Sequence, residues 1–178
     1  MKMKSFLAAL VATVVFCAIG CGGPQKPSDL PDLYPVKLTI IQDGQPLEGA
    51  TVYLVDTTNT CRFTVGYQTD AKGIADLKTD GKFPGCPAGN FKVVINKKFM
   101  PEMPTGNPPS DPEERAEFDR KIKELNDQVA ETVDVKFTKA STTPEVIEVT
   151  SAGLEKTIDV GEKVHVLLND ISKSSGKK

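Results

Sequence analysis

Four cysteines and one histidine are the residues here best suited to chemistry: Cys17, Cys21, Cys61, Cys86 and His165. A thiol can be acylated, join a disulfide, hold a metal or attack an electrophile. Zinc usually wants four ligands at tight spacing. Two sulfurs with one distant histidine make a poor set, so no metal site is expected. A Ser, Cys or Thr nucleophile needs a positioned base. His165 alternates with Val164 and Val166, which places it on the outer face of a strand rather than in a catalytic pair. Walker, Rossmann and metal-helix motifs are absent. Glu113 and Glu114 are adjacent and point to different faces of any helix. No catalytic residue and no cofactor is expected.

What precedes Cys21 sets its role. Lys2 and Lys4 make a short basic start, and SFLAALVATVVFCAIG (5–20) is almost wholly apolar. That run is short for a spanning helix, which needs roughly 20 apolar residues. A basic start, a short apolar stretch and small residues before a cut point read as a secretory signal. Ala18 and Gly20, three and one before Cys21, resemble the lipobox of bacterial lipoproteins. The resemblance implies that Cys21 receives a diacylglyceryl group and that residues 1–20 are removed. Cys17 is the competing position, but bulky Phe16 precedes it. Each buried acyl CH2 adds about 0.8 kcal/mol of membrane affinity, so several chains anchor without a helix. Residues 21–35 then read as a tether, with Gly and Pro blocking regular structure.

If Cys17 leaves with the signal and Cys21 is acylated, Cys61 and Cys86 remain. An exported protein folds where disulfides are permitted, so these two suggest one bridge. Closing a loop of about 25 residues is worth roughly 3–4 kcal/mol in the chain-entropy model. A thiol or metal role for the pair is the alternative.

Removing 20 residues from 178 leaves 158, within the range of one domain. The whole chain carries −2, and loss of Lys2 and Lys4 makes the side-chain balance about −4. Such a mildly acidic chain offers no broad basic surface for nucleic acid. Trp is absent, which weakens sugar binding through exposed aromatics.

The elements that must position these residues are short strands. VKLTII (36–41), ATVYLVD (50–56), FTVGYQ (63–68), IADLK (74–78) and NFKVVINKK (90–98) carry β-branched residues or period-two alternation. Turn signals separate them: DGQP (43–46), TDAKG (69–73) and the Gly/Pro-rich loop KFPGCPAG (82–89). TVDVKF (132–137), PEVIEVT (144–150), LEKTIDV (154–160) and KVHVLLN (163–169) continue the pattern. Short strands at this spacing argue for a β-sandwich. Gly49 and Gly73 sit where a turn wants positive φ, and Asp70 can bond its own turn backbone. A calcium role for Asp70 is weak, because no array of carboxylates accompanies it.

Gly44, Pro46, Leu47, Gly49, Ala50 and Val52, then Thr69, Asp70 and Gly73, then Gly89, Phe91 and Val93 resemble the carboxypeptidase regulatory-like domains. Phe91 stands in the usual Tyr place, and the match covers residues 36–98. The resemblance implies a mainly β fold: a transthyretin-like or Ig-like antiparallel sandwich over 36–170, with one inserted amphipathic helix. It is nearly silent on activity, since one fold hosts many functions. Small envelope lipoproteins of planctomycete-type bacteria are similar in plan. The transthyretin-like hydrolases of purine breakdown share the fold class but need several histidines and a C-terminal signature, neither present here.

The segment 99–131 is individual. FMPEMPTGNPPSDP (99–112) reads as an exposed Pro-rich loop. A helix from about 112 to 131 follows, with Asp111 as N-cap, Pro112 in the first turn and Glu114 at capping-box spacing. Phe118, Ile122, Leu125 and Val129 form a narrow apolar stripe, which either packs on the sandwich or docks a partner. Residues 171–178 read as a flexible basic tail.

The reading that follows is an exported, non-enzymatic β-sandwich, lipid-anchored to a bacterial membrane and facing the periplasm or exterior. It would act as a binding or structural module for an envelope protein or polymer. The alternative is an accessory or inhibitor subunit that docks an envelope enzyme or transporter through 99–131.

Overall fold

The structure, a computed structural model, describes residues 26–58 and 60–175. Cys21, the segment expected to be a signal and the first part of the expected tether lie outside the described residues.

The tether joins the fold earlier than expected. Leu30 is already buried, and β1 (Leu33–Tyr34) follows it. β2 (Val36–Gln42) points Val36, Leu38, Ile40 and Gln42 inward. It reverses at Asp43 and Gly44, with φ of 52° and 71°, into β3 (Gln45–Pro46). Positive φ at both central residues is what a two-residue hairpin turn matching the strand twist requires. β4 (Thr51–Asp56), β5 (Val65–Gln68) and β6 (Ile74–Asp76) come next. The turn before β6 is closed by Asp70, whose Oδ1 accepts from the Lys72 and Ile74 amides at 2.8 and 2.9 Å. Gly73 there has φ of 72°, and a Cβ would sit 2.5 Å from the Ile40 carbonyl oxygen. Gly49 is also left-handed, at 67°. The turn reading of Asp70, Gly49 and Gly73 therefore holds.

Short pieces follow: β7 (Lys78–Thr79), β8 (Phe83–Pro84) and β9 (Cys86–Pro87). The last two lie inside the stretch expected to be loop. β10 (Gly89–Asn96) is the longest strand described, and β11 (Lys98–Phe99) leads to the Pro-rich segment. The helix α1 (Pro112–Asn126) stops short of 131. Asp111 caps it, accepting from the amides of Glu113 and Glu114 at 2.9 and 3.2 Å. β12 (Ala130–Glu131) is followed by a 3-10 turn, Val135–Thr138, where a strand was expected. The Asp134 side chain accepts from the Lys136 amide at 3.0 Å and starts that turn. β13 (Val146–Val149) and β14 (Leu154–Asp159) match their expected strands. β15 is only Val166–Leu167, and α2 (Leu168–Ser175) takes over where a strand to 169 and an irregular tail from 171 were expected. The Leu168 amide still donates to the Val129 carbonyl at 3.0 Å, and Asn169 Nδ2 to Asp127 Oδ1 at 2.8 Å. Those bonds hold the start of α2 against the segment after α1.

The chain is mainly β. One sheet runs β13-β10-β4-β5-β7-β8; the other runs β14-β2-β3, with β6 also on β2. Leu38, Ile40 and Ile158 from one sheet meet Val52, Val93 and Ile95 from the other in a single cluster. Burying each such side chain contributes about 1.5–3 kcal/mol. Pairings are antiparallel among the described residues except β14 on β2, which is parallel from Leu154 opposite Val36 to Asp159 opposite Ile41. A tight turn bridged at Thr150 and Gly153 carries the chain from the edge of one sheet to the other, and Leu154 enters beside Pro35. Both strands thus start at the same end.

A smaller sheet, β11-β12-β15, sits at the base of the Pro-rich excursion. Lys98 pairs with Glu131 and Phe99 with Ala130. Gln42 Nε2 donates to the Thr132 carbonyl at 2.8 Å and ties this neck to β2. No helix among the described residues is long and apolar enough to cross a membrane.

Candidate functional site

A cleft with a volume of about 700 Å³ lies where the segment before β1 meets the sandwich. One wall is the loop after β4. Asp56 builds it: Oδ1 accepts from the Thr58 amide at 3.0 Å, and Oδ2 from the Thr60 and Cys61 amides at 2.7 and 2.8 Å. The Thr58 hydroxyl adds a bond at 2.8 Å. The Thr58 amide foremost, opposed by desolvation and helped by Cys61, the Thr58 hydroxyl and Thr60, holds this carboxyl well below the usual carboxylate range. Its oxygens are spent on the loop, so Asp56 shapes the cleft rather than offering a free acceptor.

The other wall is made by Tyr34 of β1, Pro87 of β9, and Asn90 and Phe91 at the start of β10. The walls are tied at one side by Thr57, whose amide and hydroxyl both donate to the Asn90 carbonyl at 3.0 Å. Arg62 and Phe63 line the first wall; Asp29 and Asp32 come from the tether. Arg62 is exposed and has no ion-pair partner among the described residues. Among the described residues Asp32 has only a long ion-pair contact, 3.9 Å, to Lys26. The cleft therefore joins a guanidinium, two carboxylates, a phenol and an amide to aromatic surface. A few polar groups over apolar walls, in a volume of this order, suit a small ligand or the end of a polymer.

Cys61 and Cys86 are both thiols. Cys86 is buried in the core, and Cys61 is half-buried and packs against the same cluster. Burial, with the neighbouring Cys61, pushes the Cys86 thiol up to about 12. The bridge expected between them is not formed in this structure, though Cys61 packs against the cluster that holds Cys86. His165 lies elsewhere, exposed beside Phe99 with ring centroids 5.7 Å apart. Phe118, Ile122 and Leu125 of α1 are half-buried and Val129 is buried, while α1 itself buries no residue. Among the described residues no group of three or more His, Cys, Asp or Glu could hold a metal ion.

The cleft itself was not expected from the sequence. Its signal is the stretch DTTNTCRF (56–63), which supplies an Asx acceptor and following donors. Comparisons with family models, with curated proteins and with solved structures find no match.

Proposed function

We propose that the chain is a non-enzymatic binding module of the bacterial cell envelope, anchored through an acylated Cys21, that takes its ligand in the cleft between Arg62 and Asn90. The observation that carries this reading is the position of the cleft. It opens beside the tether and is built by a loop whose acidic residue is consumed in shaping it. The lipobox-like residues before Cys21 support the anchor. The left-handed Asp43–Gly44 hairpin, the Asp70 turn and the two packed sheets support a transthyretin-like, carboxypeptidase regulatory-like sandwich. An envelope protein or polymer is the expected ligand, and nucleic acid is not.

One observation favours the alternative, an accessory subunit docking an envelope enzyme or transporter. The helix α1 stands on a neck closed by β11 and β12 and buries none of its own residues. Photo-crosslinking in intact cells separates the two. A crosslinker at position 90 should capture an envelope component, and Arg62→Glu should abolish capture. Capture from position 118 alone would move the function to the helix. No capture from either position would sink both.

A further inference from the structure

We propose that Cys61 and Cys86 are a thiol–disulfide clasp between the two walls of the cleft, and that closing the bond stiffens the cleft. This rests on the cleft being the binding site and names its regulation. Cys61 ends the Asp56-organised loop, with its amide donating to Asp56 Oδ2 at 2.8 Å. Cys86 belongs to the opposite side: it pairs with Tyr34, and Pro87 next to it lines the cleft. Cys86 belongs to the core cluster, and Cys61 packs against that same cluster. Thr57 and Asn90 already tie these walls without a covalent bond. A second tie would leave the 57–61 loop little freedom.

The thiol state is well formed. As thiols, Cys61 Sγ donates to the Phe63 carbonyl at 3.5 Å and Cys86 Sγ to the Pro87 carbonyl at 3.3 Å. Oxidation gives up these two weak sulfur bonds. The oxidant is a small organic disulfide. The half-exposed Cys61, as thiolate, attacks one of its sulfurs and expels the first thiolate, leaving a mixed disulfide on Cys61. Cys86 then loses its proton to solvent, attacks the Cys61 sulfur and expels the second thiolate. One external disulfide becomes two thiols, the two cysteine protons end on those thiols, and one S–S bond forms in the protein. Burial disfavours the Cys86 thiolate, so the second step quickens as pH rises.

The test uses the full chain in detergent, equilibrated with oxidised or reduced glutathione. Peptide mapping should find a Cys61–Cys86 bridge in the oxidised sample. Amide exchange at Thr58, Thr60 and Cys61 should slow about tenfold relative to the reduced sample. Cys61→Ser, a change at a half-exposed position, should fold normally and remove the difference. A stable mixed disulfide at Cys61, an unchanged exchange rate on bridging, or the same slowing in Cys61→Ser would each overturn the clasp. None of these readouts needs a ligand. Failed capture from position 90 in both redox states would count against the binding reading alone.

Discussion

Glu131 is the most unusual carboxylate among the described residues. It is 2% exposed, and its Oε1 accepts from the Lys97 amide at 2.6 Å. Burial pushes its pKa up, against the opposing Lys97 amide and Lys98 ammonium. A raised folded-state pKa means that the folded protein holds this proton more tightly than the unfolded chain. The stabilisation is fully present below the unfolded value, about 4.3, and is lost as pH rises through the folded value. Glu131→Gln keeps the oxygen acceptor and removes the charge. Urea unfolding from about pH 4 to about pH 8 should therefore show the variant gaining on the natural protein as pH rises. A constant difference across that range would mean that burial does not penalise the charge. Asp56 is the opposite case, with its charge held by loop amides. The two carboxylates look alike in sequence, and only their surroundings separate them.

At the scale of elements, strands with a clear period were legible and those set by distant partners were not. VKLTII and NFKVVINKK alternate because one face meets the other sheet, and both lie within a residue or two of β2 and β10. TVDVKF alternates equally well but is no strand. Asp134 caps a 3-10 turn there, and Phe137 reaches the core from that turn instead. KVHVLLN pairs only over two residues, because its partner β12 is itself two residues long. The cleft escaped detection for a related reason: its walls come from segments distant in sequence, Thr57 and Asn90 being tied across 33 positions, and they meet only in the fold. The neck of the Pro-rich excursion has a direct consequence. Lys98 faces Glu131 across β11 and β12, so the chain leaves and returns at one place. Removing all of 99–131 would strip β12 from the fold, whereas replacing 102–126 with a short Gly-rich turn keeps the neck and the Asp127 contact to Asn169. Shortening a surface excursion changes closure entropy by only about 0.6 kcal/mol per halving. The shortened protein should unfold within about 1 kcal/mol of the natural one, less the contacts of Phe118, Ile122 and Leu125. A loss of several kcal/mol by urea unfolding would show that the α1 stripe is part of the core.

For the whole molecule, the distribution of exposed apolar surface bears on where it works. Phe99 and Met100 are 45% and 61% exposed, and both lie at the neck, on another part of the fold from the cleft-lining residues. Anchoring at Cys21 would leave only a short tether before Leu30, which is already buried in the domain. A segment from Cys21 to Leu30 spans at most roughly 30 Å when extended, so the cleft, lined by Asp29 and Asp32, would stay close to the membrane surface. The anchor is tested by intact mass of the protein extracted from membranes. The expected species begins at Cys21 and carries added acyl mass, and Cys21→Ser should release the protein from the membrane fraction. An unmodified Cys21 in membrane extracts would remove the anchor. The cleft would then face free solvent, and its ligand would be sought among soluble molecules rather than envelope components.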